Sequence, residues 1–421
     1  MTHILNLRYG LFETFWAVYL QNGWTDFDMH AVLKLLVVSR FWPTKSNTIT
    51  GIFVVQQAKA LERQGWELTV IRPAPAFKRS SKSIDPRLLG LSPSTRFIEV
   101  PFLSLPPSRL HCSALAFNWK SCGYFVRRTV RQLAKRNHYH GILCHGLTNP
   151  IWTDLIRAPS AIVVHGIDPL YQLICHKSTW QKRLRVAWST FDWVLLVGRA
   201  LQQYARQLSV PPEKIKIIHN GTDIPTDDGG LSPQRPLTKR RVVLSVSNLI
   251  PIKGIDLNLR ALAEILQEHP QIDWEYRIVG DGPEKPRLQE LATHLKIQDR
   301  VVFLGRLPYS DTMSQMQQCD VFSLPSWGEA FGIVYLEAMA RGRPVIGCLG
   351  WGAQEIVRHG KEGLLVEPGD VNSLKQAILK LLSDPDYAGC LGRAARLRSF
   401  AFSWEANARC ILSLFRDKQP P

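Results

Sequence analysis

The sequence predicts an α/β protein built from two doubly wound parallel-sheet domains. Three observations lead there. Short apolar strand runs alternate with amphipathic helical segments along most of the chain, which is the pattern of parallel sheets covered by helices. The alternation comes in two sets, separated by residues 225–240, PTDDGGLSPQRPLTKR, whose proline, glycine and charge give it the composition of a linker. The length of 421 residues also exceeds what one hydrophobic core commonly serves.

Residues 1–34 read as an aromatic-rich leader. It is a poor signal peptide, because Glu13 interrupts the apolar run and no A-x-A site follows. Met29 stands just before the first strand, Leu35–Val38, and is an alternative start that would make residues 1–28 non-native. Thr50-Gly51-Ile52 opens an amphipathic helix that ends near Gly65, and Glu67–Ile71 is the next strand, expected to stop before Pro73. Further strands are expected at Gly141–Cys144, Ala161–Val164, Trp193–Val197 and Ile215–Ile218, completing a first domain over 35–224.

The second domain, 241–395, begins with the strand Val242–Val246 and a helix over 256–268. Strands follow at Trp274–Val279, Val301–Leu304, Val321–Leu324, Val345–Gly347 and Gly363–Val366, with helices near 332–341 and over Val371–Leu382. Residues 396–421, with a helix over Phe402–Phe415, are expected to pack back across the first domain.

Composition narrows the class. With 45% hydrophobic and 21% charged residues, the chain reads as a globular protein, not a disordered, collagenous or coiled-coil one. It lacks a run of about 18 apolar residues, so no membrane-spanning helix is expected. Its eight cysteines are scattered without a CxxC pair, which points to reduced thiols in the cytoplasm and away from zinc or a disulfide frame. Residues 1–225 carry +16 of the net +17 charge and residues 226–421 only +1. The first half is therefore expected either to meet an anionic partner or simply to present a basic, soluble surface. RNP aromatics, finger spacing and an evident helix-turn-helix are missing, so nucleic acid is not an expected partner.

Open parallel sheets bind ligands beyond the carboxyl ends of their strands. Ser326-Trp327-Gly328-Glu329-Ala330-Phe331-Gly332-Ile333 occupies such a place, after the strand Val321–Leu324, and leads into a helix containing Glu337. The free amides at that helix start suit a diphosphate. Glu329 and Glu337 would repel phosphate, but ionised carboxylates accept hydrogen bonds from sugar hydroxyls. An anion site flanked by two hydroxyl acceptors is what a nucleotide sugar requires. The plain alternative makes Glu329 a helix-start charge and Glu337 a surface residue. Against it, residues 333–340 are otherwise almost wholly apolar, so Glu337 is expected to be partly buried and to need a partner.

With its Glu-x7-Glu pair, GEAFGIVYLEAMARGRPVI resembles the signature of the group 1 retaining glycosyltransferases, glycosyltransferase family 4, which have the GT-B fold: two Rossmann-like domains facing each other across a cleft. VVLSVSNLIPIKGID (242–256), RIVGDGPEKPRL (277–288), VVFLGRLPYSD (301–311) and GWGAQEIVRHGKEGLLVEPGD (350–370) agree with it. So do GIFVVQQAKALERQGWELTVI, the VVHG of 163–166 and IIHNGTD (217–223) in the first half. The resemblance implies a hexosyltransferase-type enzyme acting on a nucleotide-diphosphate sugar, with no metal and no other cofactor. Glu329 would contact donor-sugar hydroxyls, Glu337 the ribose and Lys253 the diphosphate, with Ala330, Phe331, Gly332 and Gly280 completing the donor site. Where the family carries an arginine this chain has Asn248, so the second diphosphate cation is missing or supplied by Arg306 or Arg341. Gly51 would offer backbone near the reacting centre, His165 would contact the transferred sugar or orient the acceptor, and Asn220-Gly221 would form the interdomain turn. Taken alone, Gly51 reads equally as a helix-entry glycine, His165 as a structural histidine and Lys253 as a solvated turn residue.

The resemblance assigns the acceptor to the first, basic half. Arg127, Arg128, Arg131 and Lys135 line one face of a helix whose other face is Val126, Val130 and Leu133, and Lys182, Arg183 and Arg185 form a second cluster. An apolar, proline-rich stretch, 101–119, precedes them. This surface is expected to touch an anionic membrane, placing a cytoplasmic protein on the inner face of the cell membrane with a lipid-linked glycan acceptor in cell-surface polysaccharide assembly. A basic helix merely packed on the sheet is the alternative. Other readings of the same fold are an NDP-sugar epimerase, a sugar phosphorylase, or a catalytically weakened scaffold subunit of a polysaccharide complex. Asp26-Phe27-Asp28 and Asp384-Pro385-Asp386 do not read as metal sites, the latter looking like a helix-ending turn.

Overall fold

A computed structural model of the protein describes residues 33–76, 82–105, 111–146, 149–166, 178–225, 240–416 and 418. The leader through residue 32, with Met29 and Asp26-Phe27-Asp28, lies outside the described residues. So do 226–239 of the linker and 106–110 of the proline-rich stretch.

Among the described residues the first half forms seven strands: β1 (Leu33–Ser39), β2 (Trp66–Pro75), β3 (Arg96–Phe102), β4 (Gly141–His145), β5 (Ser160–Val164), β6 (Trp193–Leu196) and β7 (Ile215–Ile217). Helices α1 (Ile52–Arg63), α2 (His111–Ala134), α3 (Ser178–Thr190) and α4 (Gln202–Gln207) lie between them. The second half forms β8 (Arg241–Val246), β9 (Trp274–Val279), β10 (Val301–Gly305), β11 (Val321–Ser323), β12 (Val345–Cys348) and β13 (Gly363–Val366). Its helices are α5 (Ile255–Glu268), α6 (Lys285–His294), α7 (Tyr309–Gln318), α8 (Ile333–Ala340), α9 (Gly352–Ile356), α10 (Val371–Ser383), α11 (Pro385–Ser399) and α12 (Trp404–Arg416).

The strands make two sheets, ordered β3-β2-β1-β4-β5-β6-β7 and β10-β9-β8-β11-β12-β13. The order reverses between β1 and β4 in one and between β8 and β11 in the other, which creates a crevice at the strand ends of each. Leu35 to Val38, Val194 to Leu196, Val243, Leu244, Phe322 and Ile346 are essentially inaccessible, as strands covered on both faces must be. A buried polar cluster ties α5 to this second sheet. Asn258 Nδ2 donates to Ser245 Oγ at 3.2 Å and Tyr276 Oη at 3.1 Å, and Ser323 Oγ donates to Asn258 Oδ1 at 2.7 Å. It braces the ends of β8 and β11, where the ligand-facing loops begin.

The structure differs from expectation in three places. The second strand runs through Pro73 to Pro75, paired with β3. Ala76 N–H donates to Phe102 O, so amides of even number face β3 and both prolines turn their N–H-less nitrogen away from that ladder. The strand β3 went unpredicted. At Asp384 the chain does not simply end a helix: its carboxylate caps the next one, accepting from Tyr387 N at 2.9 Å. The last helix, α12, packs on α1, and its Phe415 ring lies 6.0 Å from that of Trp193.

Candidate active site

Between the two domains lies a cavity of 490 Å³ at the carboxyl ends of both sheets. The second domain supplies Asn248, Lys253, Gly280, Arg306, Glu329, Phe331, Gly332 and Glu337; the first supplies Gly51, His165 and Asn220.

The loop after β11 is locally tied down. Trp327 N–H and Ser326 Oγ both donate to Ile252 O, at 3.0 and 3.1 Å, so the loop after β11 is pinned to the turn that carries Lys253. Tyr335 Oη donates to Leu324 O at 2.5 Å, fixing α8 against the end of β11. Gly332 heads α8, and Ile333 and Val334, whose first-turn amides lack helical acceptors, line the cavity. Lys253 Nζ and a Glu329 carboxylate oxygen form an ion pair, both side chains mostly buried. The cation and one of the two acids therefore meet at the head of α8.

Glu337 lies one helical turn further along and is 8% exposed. Burial raises its pKa from 4.5 to about 7, opposed by Arg341 and by a hydrogen bond from Tyr309. Burial and the nearby Glu337 charge push the Tyr309 phenol up, so it stays a donor. Tyr309 was not anticipated, although it stands three residues beyond Arg306 in a segment already singled out.

On the facing wall, Gly51 caps α1 with φ 81, and a Cβ there would lie 2.4 Å from Trp42 N, so only glycine lets the backbone turn in at this point. Phe41 and Phe53 flank His165, with ring centroids 6.1 and 4.3 Å away. Neither aromatic carried a sequence signal, because the chain brings them together from a loop and a helix. Burial lowers the His165 pKa well below the usual range, with the adjacent His145 adding to the effect and a hydrogen bond to Asn220 opposing it.

Several expected residues fall elsewhere. Ala330 does not line the cavity; its carbonyl meets Gly198 of the first domain. Gly221 sits behind the wall, packed on the Ser403–Trp404 backbone. Arg341 turns away as well, donating to Glu337 O at 2.9 Å, so of the two stand-in cations only Arg306 lines the site. Arg127 is held by Asp154 and Ile151 O, while Arg128, Arg131, Lys135, Lys182 and Arg185 are exposed. Arg183 lies over the Trp180 ring at 4.9 Å. Lys182 and Arg183 line a separate groove of 650 Å³ with Trp119, Ile151 and Val186.

Two doubly wound domains facing each other across such a cavity form the GT-B fold of glycosyltransferases. Residues 50–225 match the profile described as Glycosyltransferase Family 4, and residues 232–398 the one described as Glycosyl transferases group 1. The D-inositol 3-phosphate glycosyltransferase of Corynebacterium urealyticum is 34% identical over 388 residues, covering 87% of this chain and 90% of that one. The chain belongs to glycosyltransferase family 4, the group 1 glycosyltransferases, and its class of reaction is glycosyl transfer. Sucrose-phosphate synthase of Thermosynechococcus elongatus shares the fold with a TM-score of 0.72 at 23% identity, covering 91% of this chain and 98% of that one. Anabaena Alr3699/HepE, solved in complex with UDP and glucose, does so with a TM-score of 0.66 at 24% identity, covering 91% and 100%.

Proposed function

We propose that the protein moves a sugar from a nucleoside-diphosphate sugar to a glycan acceptor, with retention at the anomeric carbon and without a metal. The observation that carries this reading is the meeting of Lys253, Glu329 and Glu337 around the head of α8, in a cavity closed on its far side by His165 and Gly51. The α8 amides and Lys253 hold the diphosphate, where one ammonium steadies the charge that develops on the leaving phosphate. Glu329 exchanges its ion pair for donor-sugar hydroxyls, and Glu337 accepts from the ribose. No side chain is assigned as a nucleophile. Attack comes from the face the diphosphate leaves, with its oxygen taking the acceptor proton.

A thermal-shift panel of UDP-, GDP- and ADP-sugars tests the donor, since binding to the folded state raises stability by mass action. One nucleotide series should stabilise the protein in the presence of EDTA, and the product should keep the donor's anomeric configuration by NMR. Failure of all three series, or an inverted product, would refute the reading.

The acceptor is lipid-linked and reached at an anionic cytoplasmic membrane face. Exposed Tyr124, Ile151 and Val186 lie among Arg128, Arg131, Lys182 and Arg185 on α2, α3 and the adjoining loop. Each basic residue near such a leaflet contributes about 1 kcal/mol, so a few give reversible attachment. Vesicle flotation at low salt should recover the protein with anionic but not neutral lipid; equal recovery would count against it.

A further inference from the structure

His145 ends β4 and His165 follows β5, the neighbouring strand, in which Val163 is paired with His145. The two imidazoles are close to coplanar, 12° apart, with His145 Nδ1 2.9 Å from His165 Nε2. His145 is 1% exposed, and burial lowers its pKa to about 3. His165 is shifted the same way. Both rings are therefore neutral, and together they carry two N–H hydrogens.

One hydrogen must lie in the shared N···N contact. The other has two possible places, His145 Nε2 and His165 Nδ1, both of them buried atoms; among the described residues His145 Nε2 has no partner, while the His165 ring has Asn220 beside it. On His145 Nε2 it would be a donor sealed in the core, with the full desolvation penalty and nothing to accept it. A bare lone pair is tolerated better there. On His165 Nδ1, an atom equally shut off from the cavity, it has beside it the Asn220 carboxamide, whose Oδ1 otherwise lacks a donor among the described residues and which favours a proton on that ring. Phe53 and Phe41 pack against the His165 ring and resist its turning over.

We propose that His145 is a positioning residue: its Nδ1–H donates to His165 Nε2 and fixes His165 in the Nδ1–H form, so that the ring offers a donor, and not a free lone pair, to the Asn220 carboxamide in the cavity wall. Imidazole in water prefers the Nε2–H form, so the pair inverts the ordinary tautomer. His165 then serves by orienting the Asn220 carboxamide through Nδ1–H, and Nδ1 is not available as a base in the resting site. What Asn220 then meets in the cavity rests on the proposed glycosyl transfer; the tautomer belongs to the free protein.

Long-range ¹⁵N–¹H correlation on protein labelled at histidine tests it, with the His165 signals identified by their loss in His165→Gln. His165 is expected to show a protonated Nδ1 and a bare Nε2. His145→Asn keeps an amide donor near the place of Nδ1 and should preserve that pattern, with turnover within about threefold of wild type. His145→Leu should return His165 to the Nε2–H form and lower turnover about 10–100-fold while leaving nucleotide affinity unchanged. A protonated Nε2 in the wild-type spectrum overturns the proposal, even if the leucine variant does not fold. So does an equal loss of turnover in both variants with the tautomer intact. If the spectrum is as expected but no nucleotide sugar is turned over, the functional reading fails and the proton assignment stands.

Discussion

Glu355 of the second domain holds His219 of the first, Oε2 lying 3.0 Å from Nε2, while its other carboxylate oxygen accepts the Arg199 backbone N–H. His219 in turn stacks on Phe331, ring centroids 5.1 Å apart and planes 16° from parallel. Phe331 lies two residues from Glu329, so the contact between domains is wired directly to the loop that carries Glu329 into the cavity. Beside it, a Cβ on Gly198 would stand 2.1 Å from Ala330 O.

Gly198→Ala should wedge this contact open. Hydrogen exchange at the Arg199 amide should speed up, and kcat/KM should fall by about tenfold or more, because a small misplacement of facing domains costs orientation. Unchanged exchange would show that the domains do not depend on this contact.

Glu337 couples stability to pH. Between pH 4.5 and about 7 the carboxyl is protonated in the fold and ionised in the unfolded chain. The unfolded chain then binds fewer protons, so stability falls as pH rises across that interval. Melting temperatures should show this slope in the wild type and lose it in Glu337→Gln. Ribose hydroxyls donate to the ionised form, so nucleotide affinity should strengthen as pH rises through about 7, as calorimetry at pH 6 and pH 8 would report.

Lys253→Met should weaken binding of a nucleoside diphosphate about 10–100-fold, the scale of a charged hydrogen bond, and leave nucleoside binding nearly unchanged. Asn248 is exposed at the cavity edge, which leaves room for a longer side chain. Asn248→Arg should tighten the diphosphate by about tenfold in the same titration.

Phe415→Ala should destabilise the protein by about 3–5 kcal/mol, since the ring is fully buried against Trp193. Denaturant unfolding monitored by tryptophan fluorescence measures it; a loss under 1 kcal/mol would mean that α12 contributes little to the first domain.

Most of the fold was legible because strands covered on both faces read as short apolar runs, and Trp274–Val279 and Gly363–Val366 coincide with their predicted bounds. Edge strand β3 was not, since only Val100 and Phe102 of its seven residues are buried. Helix α11 buries Leu391 but otherwise packs through Ala388, Gly392, Ala395 and Ser399, small residues that carry a weak apolar signal. At the site, the Glu-x7-Glu spacing located the loop and the helix, but not the direction in which Ala330 or Arg341 faces. His145 was legible by the same rule that singled out His165, a histidine closing an apolar strand, and was passed over. Tyr309, Phe41 and Phe53 become neighbours of the site only through tertiary folding.

Docking of α12 on α1 has a consequence for how the protein is made. The first domain borrows its final layer from residues translated after the whole second domain, so until those residues have been made the outer side of α1 stays uncovered. A gene cut between the two sheets would yield an amino-terminal piece prone to aggregate, and supplying residues 404–416 in trans would be the way to keep it in solution.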